Sequence, residues 1–252
     1  MDLKQALIQQ PLFAFNMDDF TIFKAVFSAL QEKQTLAILQ LSSGEADFWG
    51  LENFVNLLKP HQGKNIFFNI DHGKSLNLLQ KAVNLSFDLV HFDGSTLPWE
   101  ENITKTAQVV GLAHAKGVLV EGEPQPENTD PAKAAEFVEK TKVDLIAVFA
   151  GNKHGIDPQK PENLDFERLK STKRAVGETL LTLHGGSGVP LDQLKKALEE
   201  RLVAKININS LLRTTYFNAL KNQLSQYQGK KVYELLKPVK QAVKRKVLEL
   251  LA

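Results

Sequence analysis

The chain contains no cysteine, which excludes disulfides, thiolate metal sites and cysteine nucleophiles and makes a reducing, cytoplasmic location the default. Any transition metal must then be held by His, Asp or Glu. Charge of one sign is also missing: 31 Lys and Arg against 29 Asp and Glu leave a formal +2, too little to argue for nucleic acid. The basic residues near the C-terminus, among them Lys237, Lys240, Lys244, Arg245 and Lys246, alternate with Leu and Val at helical spacing and read as a solvated helix face. No apolar run is long enough to span a membrane. Met1-Asp2-Leu3-Lys4-Gln5 lacks the basic start and apolar segment of a secretory signal. Neither a P-loop nor a dinucleotide glycine fingerprint occurs.

What is present is alternation. Short runs rich in Val, Ile and Phe, at Leu12–Asn16, Leu36–Leu41, Asn65–Asp71, Leu89–Asp93, Val118–Glu123, Leu145–Ala150, Leu180–His184 and Ala204–Ile208, predict strands. Amphipathic segments between them predict helices at about Asp18–Glu32, Ala46–Leu58, Ser75–Val83, Glu100–Lys116, Pro131–Thr141, Asp165–Val176 and Pro190–Glu200. Eight such units in 252 residues are expected to form one α/β domain, a closed (β/α)8 TIM barrel of parallel strands. Residues 210–252 exceed what a final helix needs and divide at Gln228-Gly229; they are expected to form extra C-terminal helices, the last from Lys230 onward, packed on the barrel or on a second subunit.

A barrel of this kind carries its active site at the C-terminal strand ends, and each predicted strand ends in polar residues. Asp71 and His72 are neighbours, so only a strand end or loop lets both face one cavity; the pair reads as an active-site couple, or as a helix N-cap beside a surface histidine. His72, His154 and His184 are three of only six histidines and all fall at strand ends. They are either ligands of one divalent metal, zinc being the natural choice, or three unrelated loop histidines. His61 and His114 read as surface residues and His91 as a barrel-interior or core histidine. His184-Gly185-Gly186-Ser187-Gly188 reads as a phosphate cradle of backbone N–H groups and a hydroxyl, with Asn209 and Ser210 completing it after the eighth strand, or as a tight turn. Metal, acid/base and phosphate cradle together describe carbon–carbon bond chemistry, or proton abstraction, beside a carbonyl of a phosphorylated substrate.

These segments resemble the class II, metal-dependent fructose-bisphosphate and tagatose-bisphosphate aldolases. The resemblance runs through Phe13–Asn16, Ile38–Ser42, Phe68–Gly73, Phe92–Pro98, Thr129–Pro131, Gly151–Gly155, Leu183–Pro190 and Lys205–Ser210, most of the barrel. It implies one Zn2+ per subunit on His72, His154 and His184 with Glu123 near it, and a monovalent cation close to the phosphate. Asp71 would be the acid/base at the substrate C4 hydroxyl. Asn16, Ser42 and Asn207 would hold the ketose, Gly155, Gly185, Gly186, Ser187, Asn209 and Ser210 the phosphate, and Lys205 would be a supporting charge rather than a Schiff-base lysine. A cytoplasmic homodimer or homotetramer of carbohydrate metabolism, glycolysis in particular, is the implied setting.

The departures are specific. Asn69 stands where the family has the first His of H-x-D-H-G, and Asn209-Ser210 where it has Asp-Thr. The glycine- and glutamate-rich mobile loop that follows E-x-E-L-G is reduced to Glu123-Pro-Gln-Pro-Glu127-Asn-Thr-Asp-Pro. That loop supplies the glutamate which deprotonates dihydroxyacetone phosphate; Glu127 is the nearby substitute, or else a plain loop residue. Two expectations follow: a zinc-dependent ketose-bisphosphate aldolase, or a non-catalytic or altered-specificity relative that keeps a metal and phosphate pocket.

Overall fold

Eight parallel strands, β1 (Leu12–Asn16), β2 (Ala37–Ser42), β3 (Ile66–Gly73), β4 (Leu89–Phe92), β5 (Leu119–Gly122), β6 (Leu145–Val148), β7 (Leu180–Leu183) and β8 (Lys205–Ile208), close into a barrel in sequence order. The closing pair aligns Ala14 with Asn207 and Phe15 with Ile208. This computed structural model describes residues 1–252 except 63, 65, 126, 154, 156–161, 227 and 230. All eight expected strands are present. The first residue expected for the third, Asn65, lies outside the described residues.

The connecting helices are α2 (Phe20–Lys33), α3 (Ser43–Trp49), α4 (Leu51–Leu58), α5 (Leu76–Asn84), α6 (Trp99–His114), α7 (Pro131–Thr141), α8 (Phe166–Val176) and α9 (Leu191–Glu199). The single helix expected at Ala46–Leu58 is two: Gly50, at φ 70°, breaks the path where residues with a Cβ are disfavoured. Before them all comes α1 (Leu3–Gln9), which periodicity over so short a segment did not reveal. Its Leu3, Ala6 and Leu7 pack with Leu12, Ala14, Ile38, Phe67, Leu89, Leu145 and Ala204, plugging the N-terminal mouth. Past β8 lie α10 (Ser210–Leu224) and α11 (Val232–Leu250); the expected helix start at Lys230 falls outside the described residues. Val239, Val243 and Val247 bury one stripe of α11 completely, and Lys244 reaches Glu32 of α2 at 2.7 Å, so this helix packs on the barrel. No described helix is long and apolar enough to cross a membrane.

The inner face of the barrel changes character along its axis. Above the apolar layer closed by α1, the next positions on the same strand faces are Gln40, Asn69, His91, Glu121, Thr182 and Asn207, all buried. Alternation with period two thus delivers polar groups inward while Leu39, Phe68, Val90, Val120, Leu181 and Ile206 pack outward against the helices.

Ser42 closes this layer and starts α3: its hydroxyl accepts the Glu45 N–H at 3.4 Å, while its own N–H donates to Glu45 Oε2 at 2.6 Å, a capping box. The box buries Glu45, whose Oε2 also accepts from Asn16 Nδ2 at 3.1 Å. Burial raises the Glu45 carboxyl from its ordinary 4.5 to about 7, against the pull of those two donors. The folded chain therefore keeps a proton that the unfolded chain has already lost between these values, so this contribution to stability declines as pH rises from 4.5 to about 7. Glu45→Gln keeps an acceptor for both donors and removes the titration. In urea unfolding its stability relative to the native sequence is expected to improve by about 1–3 kcal/mol between pH 4 and pH 8; an equal difference at both pH values would contradict this account.

Candidate active site

The Asp71-His72 couple is brought into one cavity by a backbone irregularity. Strand β3 loses register with β4 between Ile70 and Gly73, and His72 sits at φ 49°, the left-handed region that costs a non-glycine residue roughly 1–2 kcal/mol. A regular strand would turn His72 outward; the bulge turns both side chains toward the axis. Gly73 beyond it has no room for a Cβ, which would approach the His91 carbonyl to 3.0 Å.

His72, His91 and His184 converge, with ring centroids 4.8–4.9 Å apart. His184 Nε2 lies 2.7 Å from Glu121 Oε1, and its Nδ1 faces His72 Nε2 at 3.2 Å. The other nitrogen of His72, Nδ1, lies 3.2 Å from Asp93 Oδ2 and 3.5 Å from Glu123 Oε2. Each carboxylate accepts from the ring nitrogen beside it, which leaves the facing pair, His184 Nδ1 and His72 Nε2, to share one proton when His72 is charged and to offer two lone pairs when both rings are neutral. Burial lowers the His184 pKa despite Glu121; for His72 burial also opposes charge, but Asp71 and Asp93 outweigh it and the pKa is raised. His91 is wholly buried. Its Nδ1 accepts the His72 backbone N–H at 3.0 Å, which requires a lone pair there and leaves the proton on Nε2, 3.4 Å from Glu123 Oε2. Glu121 and Glu123 pull the other way, favouring a charged ring; a neutral ring satisfies the amide.

Glu121 anchors this group from below. Besides His184 it receives Thr182 Oγ1 at 2.8 Å and Lys205 Nζ at 2.9 Å, both on Oε2. Burial opposes its ionisation, but Lys205 and the histidines hold the carboxyl well below the usual range. Lys205, expected to support the substrate, is instead wholly buried and spent on this ion pair. Its side chain points inward one layer below the rim, so it does not line the open cavity.

Asp71 is held by two amides: Asn207 Nδ2 donates to Oδ1 at 3.0 Å and Asn16 Nδ2 to Oδ2 at 3.2 Å. Asn16 is itself oriented by Gln40 Nε2 on its Oδ1 at 2.8 Å, and Gln40 by Asn69 Nδ2 at 3.0 Å. Burial raises the Asp71 pKa, but His72, His91 and His184 outweigh it, leaving the carboxyl well below the ordinary range and ionised at neutral pH. Asn69, which stands in place of a histidine, thus begins an amide relay that ends on Asp71.

A cavity of about 320 Å3 opens above these groups, lined by Asn16, Asp71, His72, Gly155, Gly185, Ser187, Asn207, Asn209, Ser210 and Arg213. At its far end the chain turns at Gly185, φ 66°, where a Cβ would collide with the Lys153 carbonyl. Ser187 Oγ accepts the Asn209 N–H at 3.2 Å, so its own proton can be donated elsewhere. The structure therefore gathers Asn16, Asp71, His72, Gly155, Gly185, Ser187, Asn207, Asn209 and Ser210 at one opening, with Glu123 and His184 beneath it. Gly186 is packed under the turn, where a Cβ would meet Ile206 at 2.6 Å, and Ser42 is occupied as a helix cap. Glu127 is exposed and is not among the cavity walls. His154 lies outside the described residues.

Among the described residues two overlapping groups could hold a metal ion: Asp71, His72, His91 and His184, and His72, Asp93 and Glu123. The donors are imidazole and carboxylate, suited to zinc and similar divalent ions. Glu123 Oε2 is buried without a hydrogen-bond partner among the described residues, as expected of an oxygen meant for a cation. Sequence reading missed three contributors. His91 was read as interior, which it is, but as no part of the cluster. Glu121 and Asp93 were read as rim polarity; their period-two spacing to Glu123 and His91 was the signal.

The family model for class-II fructose-bisphosphate aldolase matches residues 8–252. A fructose-bisphosphate aldolase of Streptococcus pyogenes serotype M1 is 32% identical over 245 residues, covering 87% of this chain and 83% of that protein. One of Staphylococcus aureus strain MW2 is 32% identical over 258 residues, covering 92% and 87%. Among solved structures, the YdjI aldolase of Escherichia coli K12 superposes with a TM-score of 0.85 at 29% identity, covering 99% of this chain and 94% of that one. The chain belongs to the class-II fructose-bisphosphate aldolase family, a family of metal-dependent lyases.

Proposed function

We propose that the protein is a zinc-dependent ketose-bisphosphate aldolase that reversibly cleaves fructose 1,6-bisphosphate, or its tagatose epimer, to dihydroxyacetone phosphate and glyceraldehyde 3-phosphate. The observation that carries this reading is the convergence of His72, His91 and His184 on Asp71 at the mouth of a cavity ending in Gly185, Ser187, Asn209 and Ser210. Zinc, held by His72, His154 and His184 with Glu123 in reach, would supply a Lewis acid for the ketose carbonyl.

Asp71 takes the C4 hydroxyl proton as the C3–C4 bond breaks and returns it in the condensation direction. Its ionised state suits the first role, and the Asn16 and Asn207 amides aim it. Asn207 and Asn16 also reach the sugar hydroxyls, while Gly155, Gly185, Ser187, Asn209 and Ser210 bind the phosphate by N–H and O–H donation. The aldolase reading assigns the remaining proton exchange at C3 of dihydroxyacetone phosphate to Glu127, the nearest loop carboxylate after Glu123. Its exposed position, on a loop tied by Gln125 Oε1 to the Asp130 N–H at 2.9 Å, favours the second reading, a relative that keeps the pocket but not this step.

Two measurements test these assignments. Zinc-loaded protein is expected to cleave one bisphosphate epimer and to exchange solvent deuterium into dihydroxyacetone phosphate. Asp71→Asn should lower kcat by about 100- to 10,000-fold without changing zinc content. Neither cleavage nor exchange in a folded, zinc-loaded sample would leave the binding role. Separately, Glu121→Gln removes the charge that orients His184 and should weaken zinc binding about 10- to 100-fold in competition with a chromophoric chelator; unchanged affinity would deny Glu121 that part.

A further inference from the structure

We propose that His91 is a positioning residue and not a metal ligand: its ring supplies the hydrogen-bond acceptor that the sheet withdraws at the β3 bulge, and so holds Asp71 and His72 in one cavity. This rests on the aldolase reading above only for the zinc that His72 would hold.

Strand register singles out His91 as the residue facing the bulge. Ile70 pairs with Val90 and Gly73 with Phe92, so two residues of β3, Asp71 and His72, stand against His91 alone on β4. An extra residue of this kind disrupts the ladder and leaves a backbone group to find another partner. The His72 N–H finds its partner in the His91 side chain, whose Nδ1 accepts it at 3.0 Å. Beyond the bulge the ladder resumes, with the Asp93 N–H donating to the Gly73 carbonyl at 3.1 Å. His72 holds φ 49° at this point, and an N–H left without an acceptor would add to the cost of that conformation.

Distance alone would recruit His91 to the metal. Its Nε2 and Glu123 Oε2 are both buried without a hydrogen-bond partner among the described residues, and they lie 3.4 Å apart, close to the spacing of two ligand atoms on one tetrahedral zinc. The proton count decides otherwise. A neutral imidazole has one N–H and one lone pair in the ring plane. The lone pair sits at Nδ1 and is spent on His72, so Nε2 carries the proton and has nothing to offer a cation. A doubly protonated ring fails as well, because its Nδ1–H would face the His72 N–H, donor against donor, at 3.0 Å. Asp71 Oδ1 and Glu121 Oε1 stand 3.7 and 3.9 Å from Nδ1, beyond hydrogen-bond reach. A structural zinc takes four protein ligands, whereas a catalytic one keeps a position open. An imidazole withheld from the shell leaves room there for a substrate oxygen.

Asn and Gln separate the two ring nitrogens, since the Asn amide reaches about as far as Nδ1 and the Gln amide about as far as Nε2. In competition with a chromophoric chelator, full-length His91→Asn is expected to bind zinc within about threefold of the native sequence, and His91→Gln about 10- to 100-fold more weakly. X-ray absorption of zinc-loaded His91→Asn should show the same number of imidazoles as the native protein. Two-bond 1H–15N correlation spectra of the native sequence, with His91 assigned through its backbone, should show a ring protonated at Nε2 and bare at Nδ1, with and without zinc; this readout stands even where a variant does not fold. Zinc on His91 Nε2, one imidazole fewer in His91→Asn, or equal zinc affinity in the Asn and Gln variants would each overturn the proposal. The expected Asn–Gln contrast in a protein that cleaves neither epimer would sink the aldolase reading and leave His91 in its role; cleavage by a protein without that contrast would do the reverse.

Discussion

The shared carboxylate of Glu121 is the constraint on which the site depends. One oxygen is held by Lys205 and Thr182, the other by His184, and all four residues are completely buried. An ion pair so placed is weak evidence for stability, because desolvation offsets most of the Coulomb gain, yet losing one partner leaves a buried charge at a cost of about 3–5 kcal/mol. The barrel interior therefore tolerates only the full set. What the arrangement secures is direction: it fixes the proton on His184 Nε2 and turns Nδ1 toward His72. Asp93 does the same for His72 from the other side. Two imidazoles that would otherwise rotate are each set by a carboxylate behind them, the usual way a protein prepares nitrogen ligands.

The bulge at His72 and the amide relay through Asn69, Gln40 and Asn16 act on the opposite wall. Backbone strain at a non-glycine residue persists only where its surroundings over-determine it, and His72 is gripped by Asp93 at the ring and by His91 at its N–H. The relay fixes which face of the Asn16 amide meets Asp71, so that donors, not acceptors, surround the carboxylate. Asp71 and His72 are thereby adjacent in sequence and still on one side of the sheet, as the proposed acid/base and metal-ligand roles require.

The barrel was legible in the chain because two periodicities alternate without interruption: apolar runs for eight strands, amphipathic spacing for the helices between them. Its exceptions have local causes, a glycine at position 50 and a helix, Leu3–Gln9, too short to show a period. Much of the site was legible too, since strand-end residues such as Asp71, His184 and Asn209 announce themselves by position. What stayed hidden was the layer beneath. Glu121, His91 and Gln40 sit inside strands, where a polar residue in an apolar run says only that something must satisfy it, not what. Lys205 shows the limit most plainly: its partner, Glu121, is far away in sequence, and only closure of the sheet brings the two together. Glu127 marks another, because a short loop between prolines gives no periodicity from which to place a carboxylate.

The central claim is that the imidazoles gathered by Glu121 and Asp93 hold a single divalent cation beside Asp71. X-ray absorption at the zinc edge of the zinc-loaded protein tests it most directly. The account predicts one tightly bound zinc with a first shell of imidazole nitrogens at about 2.0–2.1 Å. The outer-shell scattering of several histidine rings should accompany it, and be reduced in His184→Ala. A shell of oxygen alone, or no retained zinc, would contradict it.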